Sequence, residues 1–119
     1  MINSLVISPY FLRILATLSL LFLHIANTEA VTLKEGRQFY ATGEYAKAIE
    51  SCEKAIEDKQ FDSGWRLLLL RSYLVTGQLL QAKKLSETLL QDYKYRYNAE
   101  ALWLFHLSFE ANGESDKSK

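Results

Sequence analysis

Helix breakers and thiols are scarce in this sequence. Its 119 residues include one cysteine, one proline and five glycines. The single thiol, Cys52, forms no internal disulfide, and no CxxC or Cys/His spacing offers a zinc site. Its ordinary reading is a small buried apolar side chain; a reactive thiol or a bridge between chains is the alternative. With Pro9 as the lone proline, long helices and short turns are expected rather than strands. Neither sign of charge predominates, since Lys plus Arg and Asp plus Glu both number 14. That balance argues against nucleic acid as a partner, because displacing counterions from phosphates needs a basic face. It argues equally against attachment to an acidic membrane by charge alone. The signatures of common chemistries are missing too: no GxxxxGK, HExxH, GxSxG or paired-carboxylate arrangement occurs. His24 falls in the N-terminal apolar region, and His106, on an apolar helix, reads as a packed or rim residue. No catalysis, cofactor or metal is expected.

Arg13 is the only charged side chain before the apolar run Ile14-Leu-Ala-Thr-Leu-Ser-Leu-Leu-Phe-Leu23. His24 interrupts the run, which ends at Ile25-Ala26. It is short for a bilayer span and suits the apolar region of a secretory signal. Thr28-Glu29-Ala30 resembles a small-x-small cleavage site, and cleavage there would leave 89 residues (119 minus 30). Residues 1–30 are therefore expected to be a signal peptide, with an uncleaved membrane anchor or misassigned upstream codons as alternatives. No cysteine follows the run, which excludes a bacterial lipoprotein anchor. The expected location is secreted or periplasmic, or membrane-anchored facing away from the cytoplasm.

The remainder repeats itself. Phe39 falls on Tyr73, Thr42 on Thr76, Gly43 on Gly77, Tyr45 on Leu79 and Ala48 on Ala82, always at an offset of 34. Gly43 and Gly77 lie between helix-period patterns, where a reversing chain needs positive φ. Ala48 and Ala82 recur where a close helix crossing leaves no room for bulk. Tyr45, Ala48, Ile49, Cys52, Ala55 and Ile56 follow three-and-four spacing, as do Leu79, Ala82, Leu85, Leu89 and Leu90. Predicted helices run over Thr32–Thr42, Glu44–Lys59, Ser63–Thr76, Leu79–Asp92 and Asn98–Asn112, with Asp62 or Ser63 and Asn98 as N-caps.

This period and these marks resemble the tetratricopeptide repeat. The resemblance implies an all-α fold of antiparallel helix-hairpin repeats over residues 31–113, two repeats plus a closing helix, followed by a disordered polar tail at 114–119. Gln60 stands where the family often has proline. Glu35 and Gly36 occupy the positions of Leu69 and Leu70, so the first helix is expected to face solvent more. Gly113 lies 36 residues after Gly77, a register slip of two. The closing helix carries Leu102, Trp103, Leu104, Phe105, Leu107 and Phe109 nearly all round, and its outer face has no further helix to cover it. Self-association through Trp103, Phe105 and Phe109 is the expectation; burial of the helix between its neighbours is the alternative.

Members of that family bind peptides or partner helices on a concave face lined by the first helix of each repeat. The matching residues are Leu33, Arg37 and Tyr40, then Leu67, Arg71 and Leu74. Arg37 and Arg71 would stack as two basic rungs between apolar neighbours, suited to an acidic and apolar segment of a partner protein. Two solvated arginines on a wet surface are the alternative. Leu33, Arg37 and Leu68 replace the lysine and asparagine of the carboxylate clamp some members carry, so that clamp is not implied. Glu50, Glu53 and Glu57 read as a solvated face beside Lys47 and Lys54. Tyr93-Lys-Tyr-Arg-Tyr97 alternates aromatic and basic residues but falls in a turn, and its tyrosines are expected to pack on the closing helix. The function implied is an exported adapter working by binding alone. The alternatives are a non-catalytic module of a larger exported enzyme and a membrane-anchored assembly factor.

Overall fold

The computed structural model describes residues 9–10, 13–14 and 29–113. The chain divides into two compact units, Met1–Ala30 and Val31–Lys119. Most of the N-terminal apolar run, and the tail 114–119, lie outside the described residues. Among its described residues the second unit contains six helices: α1 (Leu33–Ala41), α2 (Tyr45–Glu57), α3 (Ser63–Val75), α4 (Leu79–Leu90), α5 (Tyr93–Arg96) and α6 (Ala99–Ala111). No strand occurs among the described residues.

Local chemistry sets where each helix starts. Thr32 opens α1 with a reciprocal capping box: its hydroxyl accepts from the Glu35 amide, and Glu35 Oε2 accepts from the Thr32 amide at 2.7 Å. Asp62 caps α3 by accepting from the Gly64 amide, and Asn98 caps α6 by accepting from the Ala101 amide. These side chains satisfy amides that have no partner inside the helix. Glu44 and Gln78, which precede α2 and α4, make no such bond. There the tight turn leads straight from one helix into the next.

Those two turns are copies of each other. Glu44 N donates to Phe39 O at 2.8 Å and Gln78 N to Tyr73 O at 2.9 Å, around Gly43 at φ 80° and Gly77 at φ 73°. Both are Schellman turns, whose left-handed residue glycine adopts without steric cost. Thr42 and Thr76 add the same hydroxyl bond, back to Gln38 O at 3.0 Å and Ser72 O at 2.7 Å. α6 also ends on a left-handed glycine, Gly113 at φ 74°, whose amide donates to Glu110 O at 2.9 Å. The offset from Gly77 to Gly113 is 36 because the α4–α6 connection, part of which winds into α5, is three residues longer than the α2–α3 connection, while α4 is one residue shorter than α2. Sequence reading had made that stretch a plain turn; four residues are too few to show a periodicity.

Packing joins neighbours and next-but-one neighbours. α3 contacts α1, α2, α4 and α6, while α6 contacts α3, α4 and α5. Helices joined by short turns and packed side by side run antiparallel, so α1, α3 and α6 share one direction and α2 and α4 the other. α3 is the hub, and its consecutive Leu67, Leu68, Leu69 and Leu70 are all buried. A helix packed against four others buries most of its surface and keeps little polar face. Ala48, Cys52, Ala82 and Ser86 recur at the 34-residue offset on α2 and α4 and are wholly buried, which lets helix axes approach. Burial pushes the Cys52 thiol up to about 12, with the nearby Glu53 charge adding to it. Cys52 is a packing residue.

The first helix is the more solvent-facing one, as expected, and Gly36 is the one buried residue of α1 against seven in α3. A Cβ there would lie 2.9 Å from Cζ3 of Trp65 and 3.3 Å from Cδ2 of Leu68. α1 thus meets α3 through a missing side chain. Glu53, on the face read as solvated, accepts a hydrogen bond from the Tyr73 hydroxyl at 2.7 Å. Burial and that carboxylate together push the Tyr73 phenol up from its usual range.

Candidate functional site: a groove across α1, α3 and α6

Because α1, α3 and α6 lie side by side and run the same way, one face of the unit is built from first helices only. A groove of about 360 Å³ opens there, lined by Arg37 and Tyr40 from α1, Gly64, Leu67, Leu68 and Arg71 from α3, and Glu100 from α6. Four of the six residues expected on the concave face meet in it: Arg37, Tyr40, Leu67 and Arg71. The other two lie elsewhere. Leu33 packs against the start of α3, its Cδ2 only 2.6 Å from where a Cβ on Gly64 would sit. Leu74 is half-buried against the core.

The two arginines are not equivalent. Arg71 Nη2 holds Glu100 Oε1 at 2.8 Å. Among the described residues, Arg37 makes no ion pair; its Nη2 lies 3.1 Å from the Cβ position of Gly64, over the mouth of the groove. The expected two-rung ladder is therefore one open guanidinium and one already engaged. Both Arg71 and Glu100 are partly exposed, so their pair is water-screened and contributes little to stability. A ligand carboxylate can compete with Glu100 for Arg71 at modest cost.

The rest of the lining is apolar. Leu67 and Leu68 are buried and form the floor, while Tyr40 is half-buried at one wall. The Tyr40 ring meets Tyr45 edge-on, with centroids 5.4 Å apart, which fixes its position. Gly64 keeps the floor open beside Arg37. The groove can therefore take an apolar side chain against leucine and tyrosine with an anionic group at Arg37. Glu100, Gly64 and Leu68 escaped the sequence-level site. Glu100 is the counterpart of Gly64 at the slipped offset of 36, and a search at 34 passes over it.

The closing helix departs from expectation in a second way. Phe105 and Phe109 are buried, packed into the core with Leu104. Phe109 is the third in the series Phe39, Tyr73, Phe109, once the slip is counted, and fills the same inner position. Both are thereby excluded from a self-association surface. Trp103 is not: it is 60% exposed, beside an exposed Leu102. His106 is half-exposed, with its ring 5.6 Å from Trp103 and its Nε2 3.3 Å from Glu110 Oε2. In the Tyr93–Tyr97 stretch only Tyr95 is buried; Tyr93 and Tyr97 project into solvent, contrary to the expected packing. Among the described residues no group of three or more His, Cys, Asp or Glu side chains is placed to hold a metal ion. No helix among them is long and apolar enough to cross a membrane. Comparison with protein-family models, with curated proteins and with solved structures finds no match to this chain.

Proposed function

We propose that residues 31–113 are a binding scaffold, a short array of tetratricopeptide type, which seats a segment of a partner protein without catalysing a reaction. The observation that carries this reading is the groove across α1, α3 and α6, which sets the open Arg37 guanidinium over a leucine floor. The 34-residue recurrence of turns and small crossing residues supports the repeat assignment. The N-terminal apolar run supports action outside the cytoplasm, as an exported or membrane-anchored adapter. The segment bound is acidic and apolar: a carboxylate meets Arg37, and an apolar side chain lies against Tyr40 and Leu67. Arg37→Glu is the decisive variant, because Arg71→Glu would also set a second carboxylate against Glu100. In affinity capture from an exported fraction, Arg37→Glu is expected to lose the partners that the wild type retains. Arg37→Ala should weaken binding roughly tenfold or more, the value of a charge-assisted contact at ~1.5–3 kcal/mol. Unchanged capture by both variants would remove the groove from consideration.

A second reading concerns α6. The exposure of Leu102 and Trp103 on the side turned away from α3 and α4 favours pairing of two copies through this helix. Glu100, in the groove, and Trp103 are three residues apart on α6, so the two readings use adjoining surfaces of that helix.

A further inference from the structure

Phe61, Tyr93 and Tyr97 are 80%, 74% and 88% exposed, more than any other large apolar side chain of the helical unit. They are not scattered. Phe61 directly precedes the α3 cap Asp62, Tyr97 directly precedes the α6 cap Asn98, and Tyr93 opens α5. Since α1, α3 and α6 run the same way, their starts share one edge of the unit. Leu33 meets Gly64 on that edge, where α1 and α3 begin. The opposite edge carries the glycine turns, where Asn112 Nδ2 donates to Leu79 O at 2.9 Å.

An apolar residue just before an N-cap ordinarily folds back on its helix. Val31, ahead of the cap Thr32, does so and packs against the core. Phe61 and Tyr97 hold the same position ahead of their caps and point away from it. Folding of the unit gains nothing from their exposure. Lys59, Lys94 and Arg96 are exposed on the same two connections. Three of the nearby acids are engaged: Asp58 with Lys54 at 3.6 Å, Asp92 with Lys94 at 3.7 Å, and Asp62 with the Gly64 amide at 2.8 Å, while Glu57 at the end of α2 is exposed. None of Phe61, Tyr93 and Tyr97 lines the groove, and all three rings face solvent. A planar partner fits, and phenyl and phenol rings among lysines and arginines suit the bilayer interface, where the ring is buried and the polar tip stays wet.

We propose that the edge bearing Phe61, Tyr93 and Tyr97 inserts into the headgroup layer of a lipid bilayer, with Lys59, Lys94 and Arg96 set against lipid phosphates. The inference is independent of the groove and its ligand. It is tested on the full chain with single cysteines, Tyr97→Cys, Phe61→Cys and, on the opposite edge, Leu80→Cys, each labelled with an environment-sensitive maleimide. Cys52 is fully buried and does not compete for the label. The probe is a vesicle of phosphatidylcholine and phosphatidylglycerol with brominated acyl chains. Labels at 61 and 97 are expected to shift to the blue and to be quenched several-fold, while a label at 80 is not. Equal quenching at position 80, or none at 61 and 97, would overturn the proposal. A blue shift without lipid that grows with protein concentration would also overturn it, assigning the edge to contact between copies.

Discussion

Gly36 and Lys59 show backbone and side chain in opposite kinds of conflict. At Gly36 the backbone is helical, but the indole of buried Trp65 already fills the space a Cβ would take. Gly36→Ala is expected to lower stability by ~1–3 kcal/mol, the usual cost of overpacking, as a fall in urea midpoint at unchanged slope. At Lys59 the space is open but φ is 58°, and the chain closes α2 with a Schellman turn around a residue that is not glycine. Lys59→Gly should raise stability by roughly 1 kcal/mol, because the left-handed conformation no longer strains a Cβ. Neither residue stands out in the sequence. Periodicity counts side chains, so Gly36 registers as a loss of apolarity, although it marks a close approach of α1 to α3.

At the level of elements, the caps and turns were largely legible. Asp62 and Asn98 cap the helices expected of them, and the helix limits fall within a few residues of the predicted ones, because capping and glycine turns are local chemistry. The capping box of α1 brings a pH dependence. Hydrogen bonds from the Thr32 amide and hydroxyl hold the Glu35 carboxyl below its ordinary value of 4.5. Its contribution to stability is complete above that value and is lost as pH falls through the lowered folded value. Glu35→Gln retains an acceptor for the Thr32 amide and removes the titration. In thermal melts across the acid range, the margin of wild type over Glu35→Gln is expected to shrink as pH falls; a constant margin would contradict the assignment. The element that escaped sequence reading is α5, whose four residues absorb the two-residue slip.

For the molecule as a whole, the question is what covers the outer side of α6. Trp103 and Leu102 are exposed there, while Phe105 and Phe109, on the inner side, support the core. Trp103→Glu is therefore expected to leave the fold intact by circular dichroism and to convert a concentration-dependent dimer to monomer in sedimentation velocity. Phe109→Glu should unfold the unit instead, since it buries a charge without a partner. The contrast between the two separates a surface role from a structural one.

The sequence by itself determined the helical class, the turns and most of the helix limits. Each of these follows from neighbours along the chain: three-and-four spacing, a glycine free to take positive φ, a polar side chain reaching back to its own amides. It also brought Arg37 and Arg71 into view, because a regular offset places equivalent residues on the same face. Only the tertiary structure decided that Arg71 is held by Glu100 and Arg37 is not, since that pairing joins α3 to α6 across a register shift. Packing alone likewise sorted an evenly apolar closing helix into a buried and an exposed side. It also set the aromatic residues ahead of the α3 and α6 caps on a single edge. Those outcomes depend on which helix lies beside which, and no local pattern records that.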